Sequence, residues 1–154
     1  MQQASPACVS AEVSWTWLFD VRLRRWSETR GLGVKAECFE DLIAWQKARD
    51  LVVSVYALTG DGAFSRDFGL RDQIQPAAVS IMSNLAEGFE RGSRPDFHRF
   101  VVIAKASCAE VRSQLYIACD IGYINEEQLK QHQMQAREVA RILGGLRLSL
   151  ESPK

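Results

Sequence analysis

The chain has 154 residues, 47% of them hydrophobic and 25% charged, with 19 basic side chains against 19 acidic, which is the composition of one ordinary globular domain. Zero formal charge excludes a histone-like polycation, and no apolar run approaches the roughly 18 residues of a membrane span. A chain of this length buries roughly 70% of its unfolded surface, so its core needs neither metal nor disulfide.

Residues 1 to 37 stand apart. They hold three of the four tryptophans, Trp15, Trp17 and Trp26, beside Arg22, Arg24, Arg25 and Arg30, with no steady period. Asp20 and the arginines interrupt any export-signal core, so this stretch reads as an irregular extension, poorly ordered or belonging to an over-extended reading frame whose native start is Val34.

From Phe39 the spacing becomes helical. Phe39, Leu42, Trp45, Ala48, Val52 and Val55 recur every three or four residues, which predicts a first helix ending near Gly60, before the turn pair Asp61-Gly62. Leu70, Ile74, Ala77, Ile81 and Leu85 mark a second, closing between Gly88 and Gly92. Pro76 lies inside it and removes one backbone donor, so a kink is expected rather than two helices.

Ser93-Arg94-Pro95-Asp96 combines a cap, a first-turn proline and an acid at the positive helix end. It opens a third helix to Ile121, stopped by Gly122. Ala104, Ala106, Ser107, Cys108 and Ala109 give its middle small side chains that allow another helix close. Asn125 to Gln128 forms a capping box, and Leu129, His132, Ala136, Val139, Leu143, Leu146 and Leu150 follow as the clearest heptad. Short links make neighbours antiparallel, so residues 38 to 154 are predicted to be an all-α, up-down four-helix bundle.

Chemistry is sparse in this pattern. Cys8, Cys38, Cys108 and Cys119 include no C-x-x-C pair, which suits a reducing cytoplasm. Cys108 and Cys119 would lie about 16 Å apart along one helix, too far to bridge. His98 and His132 do not follow a glutamate by three, as a bundle di-metal site requires, and no nucleotide or hydrolase motif occurs. No cofactor or metal is expected. Ser80, Asn84 and Glu87 share one face of the second helix and read as a polar network that fixes packing or subunit register.

Residues 38 to 154 hold 14 basic and 15 acidic side chains, so nucleic-acid binding would require the basic ones to converge in space. The candidates are Arg91, Arg94, Arg99 and Arg112 with Lys130, Arg137 and Arg141. Trp45 and Phe89 are candidate anchors for a protein partner. An enzyme using Glu87 with His98 or His132 is the least supported reading.

Three blocks of sequence carry a family resemblance: Phe39 to Ala48, Gln73 to Gly88, and Ile103 to Leu115 with Gly122-Tyr123-Ile124. Together they resemble the bacterial four-helix-bundle proteins named after the 23S ribosomal RNA intervening sequence, over nearly all of residues 38 to 150. The chain is also similar to the accessory protein of diversity-generating retroelements. The resemblance implies a non-enzymatic cytoplasmic bundle, a homopentameric ring, and RNA or a nucleic-acid-processing protein such as a reverse transcriptase as partner. It departs from the family at Pro76, where a basic residue is usual, and at Ala106 and Ala109, where glycine is common.

Overall fold

The structure, a computed structural model, describes residues 36 to 151. The expectations for the extension and its start codon fall, up to residue 35, outside the described residues. Four helices account for most of the described residues: α1 (Ile43–Thr59), α2 (Phe68–Glu90), α3 (Arg94–Asp120) and α4 (Glu126–Leu150). Each packs on its chain neighbours, and α1 closes against α4, so the order around the bundle is α1, α2, α3, α4. It is the all-α four-helix bundle that the periodicity predicts.

The boundaries follow local chemistry. Asp67 caps α2 by accepting from the Leu70 amide, and Ser93 caps α3 by accepting from Asp96. Asn125 and Gln128 complete a reciprocal capping box on α4. Gly62, Gly92 and Gly122 take positive φ in the three links, the conformation that glycine adopts without a Cβ penalty. Two boundaries differ from the expected ones. Phe39–Asp41 is a separate 3-10 turn, because Leu42 adopts an extended ψ of 117° and α1 starts only at Ile43. A second 3-10 turn, Phe64–Arg66, precedes α2 and buries Phe64. Through Pro76 α2 runs as one helix, with the proline on its exposed side.

Leu51 and Val55 of α1, Ile74, Ile81 and Leu85 of α2, Phe97, Val101, Val111 and Leu115 of α3, and Val139 and Leu143 of α4 form the core, each 0–1% exposed. Truncating one such side chain to alanine typically costs about 2–5 kcal/mol. The small residues of α3 divide by face. Ala104, Ser107 and Cys108 are buried, whereas Ala106 and Ala109 point to solvent. At Gly88 of α2 the backbone lies close against α3: a Cβ would stand 2.5 Å from Phe100 Cβ and 3.1 Å from Phe97 Cδ2.

Gly88→Ala should therefore force α2 from α3 and cost about 1–3 kcal/mol in urea unfolding. Gly145 lies inside α4 with nothing within 4 Å of where a Cβ would stand, and it should behave oppositely. Gly145→Ala should raise stability by about 0.5–1 kcal/mol.

Candidate nucleic-acid interface

Directed polar contacts set the register between neighbouring helices. Asn84 Nδ2 donates to the Ser80 carbonyl at 2.7 Å and to Ser80 Oγ at 2.9 Å, and Ser80 Oγ lies 2.9 Å from Ser107 Oγ on α3. With Asn84 donating to it, the Ser80 hydroxyl is free to donate to Ser107. Glu87 does not reach this chain; its exposed carboxylate takes Arg91 one turn on. Between α1 and α2, Gln75 Nε2 donates to Thr59 Oγ1 at 2.7 Å.

Two contacts align α3 with α4. Cys108 Sγ donates to the Ala136 carbonyl at 3.1 Å, and Gln133 Nε2 donates to the Arg112 carbonyl at 2.6 Å. Burial pushes the Cys108 thiol up to about 11 from 9.0, partly offset by the Arg112 charge. A raised value favours the folded state while the thiol is protonated, so that contribution is full below pH 9.0 and lost as pH rises through about 11. At pH 8 the folded chain should alkylate very slowly at Cys108 and rapidly once unfolded, as read by mass spectrometry of iodoacetamide-treated protein.

The candidate basic residues fall into two groups. Arg91 is held by Glu87, which raises its pKa through that hydrogen bond, and its guanidinium lies 4.8 Å from the Phe100 ring centroid. Arg94 bridges the start of α3 to the end of α4, donating to the carbonyls of Ser149 at 2.8 Å, Leu150 at 3.2 Å and Glu151 at 3.0 Å. Those are orphan carbonyls of a helix C-terminus, so Arg94 acts as a cap. Arg99 is exposed near the same end of α3.

The other four gather along the α3/α4 edge. Lys130, Arg137 and Arg141 are spaced by seven and four, which places them on one stripe of α4. All three are exposed and make no ion pair among the described residues. Arg112 reaches the edge from α3, its Nε 3.5 Å from Gln133 Oε1. Lys105 joins them from outside the set expected from the sequence. Its Nζ lies across the bare backbone of Gly144, 3.9 Å from where a Cβ would be, one turn beyond Arg141. Helical spacing carries no signal for this; the pairing of α3 with α4 does.

Acids are sparse along the middle of this edge, while Asp120 on α3 and Glu126 and Glu127 on α4 stand at its end, the latter two one turn before Lys130. From residue 128 to 150 the single acid is Glu138, and its carboxylate faces α1, 3.4 Å from Lys47 Nζ. On α3 the single acid from residue 97 to 119 is Glu110, about 200° around the helix from Arg112. A chain of zero net charge thus gathers five basic side chains along one edge.

The remaining candidates are dispersed. His132 is buried on α4, its Nδ1 2.7 Å from the Gln128 carbonyl, the geometry of a donated N–H. His98 lies beside Glu151 at 4.0 Å in a cavity of about 320 Å³ with Arg94, Pro95 and Leu150. Neither histidine meets Glu87. Trp45 packs edge-on against Phe39, and Phe89 against Phe97, both half-buried. Among the described residues no three His, Cys, Asp or Glu side chains gather as metal ligands, and no helix is long and apolar enough to cross a membrane.

The helix order, short links and packing define an up-down four-helix bundle that carries one basic edge. The family model for the 23S rRNA-intervening sequence protein matches residues 40–145, and the chain belongs to that family. The fold is similar to the crystal structure of a protein with unknown function from the S23 ribosomal protein family of Bacteroides thetaiotaomicron. That protein is 22% identical, with a TM-score of 0.63 over 68% of this chain and 98% of the other. No curated protein matches the chain.

The two groups of cations should separate by experiment. Arg94→Ala should lower stability by about 1.5–3 kcal/mol, with faster amide exchange in the last turn of α4. Arg137→Ala, at an exposed and unpaired position, should stay within about 0.5 kcal/mol of the parent chain.

Proposed function

We propose that this chain is a non-enzymatic cytoplasmic protein that assembles into a homopentameric ring and binds RNA through the α3/α4 edge. The observation that carries the reading is the set Lys105, Arg112, Lys130, Arg137 and Arg141, which share one edge while Glu138 is drawn to Lys47 on another face. Free cations cost little to desolvate against phosphate and release its counterions on binding. The polar chain Asn84–Ser80–Ser107 fixes the packing of α2 on α3 within one protomer, and Glu87 with Arg91 remains at the surface for contacts between subunits.

Assembly is supported by two exposed apolar faces on helices that are diagonal in the bundle. On α1, Ile43 and Val53 are 63% and 64% exposed; on α3, Val102, Ile103 and Ile117 are 43%, 38% and 47% exposed. Large apolar side chains left in water suit contact surfaces. Two different patches on opposite sides suit a head-to-tail contact, which forms a ring when the rotation between subunits closes. Five copies is the number that the family resemblance implies, and repetition around a ring multiplies one modest basic edge.

The purified full chain should scatter light as a pentamer and bind structured RNA with an affinity that falls with salt. Replacing Arg137 and Arg141 together by alanine should weaken binding and reduce the slope of log affinity against log salt by about two. Binding that ignores both salt and the double replacement would overturn the RNA reading. A protein partner captured equally after nuclease treatment, and lost in Trp45→Ala, would favour an accessory-subunit role instead.

A further inference from the structure

Tyr116 is the one aromatic residue on the basic edge. It lies one turn beyond Arg112 on α3, on the side of the helix that Cys108 and Arg112 turn toward α4. The register set by Cys108 with Ala136 and by Arg112 with Gln133 places Tyr116 across from the first turns of α4, which carry Glu126 and Glu127 and then Lys130. Its side chain is 46% exposed. Among the described residues it makes no hydrogen bond and no ring contact, unlike Phe39, Phe64, Phe89 and Phe97, which all pair with another ring. Tyr116 stands about 100° around the helix from Ile117 and about 20° from Ala109, at the border between the basic edge and the exposed apolar surface.

An open aromatic face one turn from an arginine has a specific use. Every base of an unpaired strand offers a π-face, and stacking on an aromatic side chain adds affinity without selecting a sequence. Within a duplex those faces are covered by neighbouring bases, so a protein reads a duplex through its phosphates, grooves and 2′-hydroxyls. Building on the RNA-binding reading, we infer that the α3/α4 edge takes a single strand, with an unpaired base stacked on Tyr116. Arg112 and Lys130 flank the stacked nucleotide's phosphates, and the strand continues along Arg137, Arg141 and Lys105. Tyrosine suits this position because its ring is rigid, with only two side-chain torsions to fix.

Fluorescence anisotropy of the full chain tests this with two probes, a labelled oligouridine about fifteen nucleotides long and an RNA duplex of equal length. The expected result is tighter binding of the oligouridine, weakened about tenfold by Tyr116→Ala and kept by Tyr116→Phe or Tyr116→Trp. Duplex affinity should be the same for all four proteins. Tyr116→Ala with unchanged oligouridine binding, or a preference for the duplex, would overturn the inference and leave phosphate binding intact. Failure of both probes to bind at low salt would overturn the RNA-binding reading as well. Light scattering of each variant completes the test: a changed mass for Tyr116→Ala would assign the ring to a subunit contact and reject the stacking role.

Discussion

The close approach of α2 and α3 at Gly88 is the constraint from which the bundle's register follows. Without a Cβ at that position, Phe97 and Phe100 pack against the α2 backbone itself, and the three-residue link Arg91 to Ser93 leaves little freedom to slide. Eight residues back along α2 and seven forward along α3, the same register brings Ser80 onto Ser107. That hydrogen bond, with Asn84 behind it, is satisfied only at this alignment. Apolar packing provides most of the stabilisation, and the polar chain penalises the alternatives, because a shifted register would leave hydroxyls unpaired. Register in turn decides which α3 residues face inward.

The consequences are clearest on α3, which serves three neighbours at once. Its inner stripe fills the core from Phe97 to Ala118. Its α4 edge carries Lys105, Arg112 and Tyr116. Its outer face leaves Val102, Ile103 and Ile117 in water, together with Ala106 and Ala109. A helix apolar over so wide an arc is usually covered on more than one side. That arc is the physical basis for expecting self-association, and it borders the basic edge, because Val102 and Ala109 stand one turn from Lys105.

Electrostatics are organised by partition rather than by excess. Acids and bases balance over the chain, yet α4 directs Lys130, Arg137 and Arg141 outward while Glu138 turns to Lys47. Arg91 and Arg94, alike in sequence to the free arginines, are engaged in local structure, one with Glu87 and one with the carbonyls that end α4. A guanidinium that caps a helix is bound to that task by three hydrogen bonds. One without partners among the described residues is available to an anion, and this difference in local engagement separates candidates that composition treats as equal.

The sequence by itself determined the number of helices, their approximate limits and the inward stripes, because apolar spacing, cap residues and the glycines at 62, 92 and 122 act over one or two turns. It misplaces the start of α1, since Leu42 breaks the helix while fitting its spacing. It groups Glu87 with Ser80 and Asn84, which share a helix face with it but not a partner. Nothing in the spacing singles out Lys105 or Tyr116, and nothing in it distinguishes Arg94 from a free arginine. Each of these depends on which residue stands opposite across a helix interface, a relation between positions 20 to 60 apart in the chain. Periodicity describes one helix at a time, and only packing the four together decided which charges were spent inside the fold and which were left facing out.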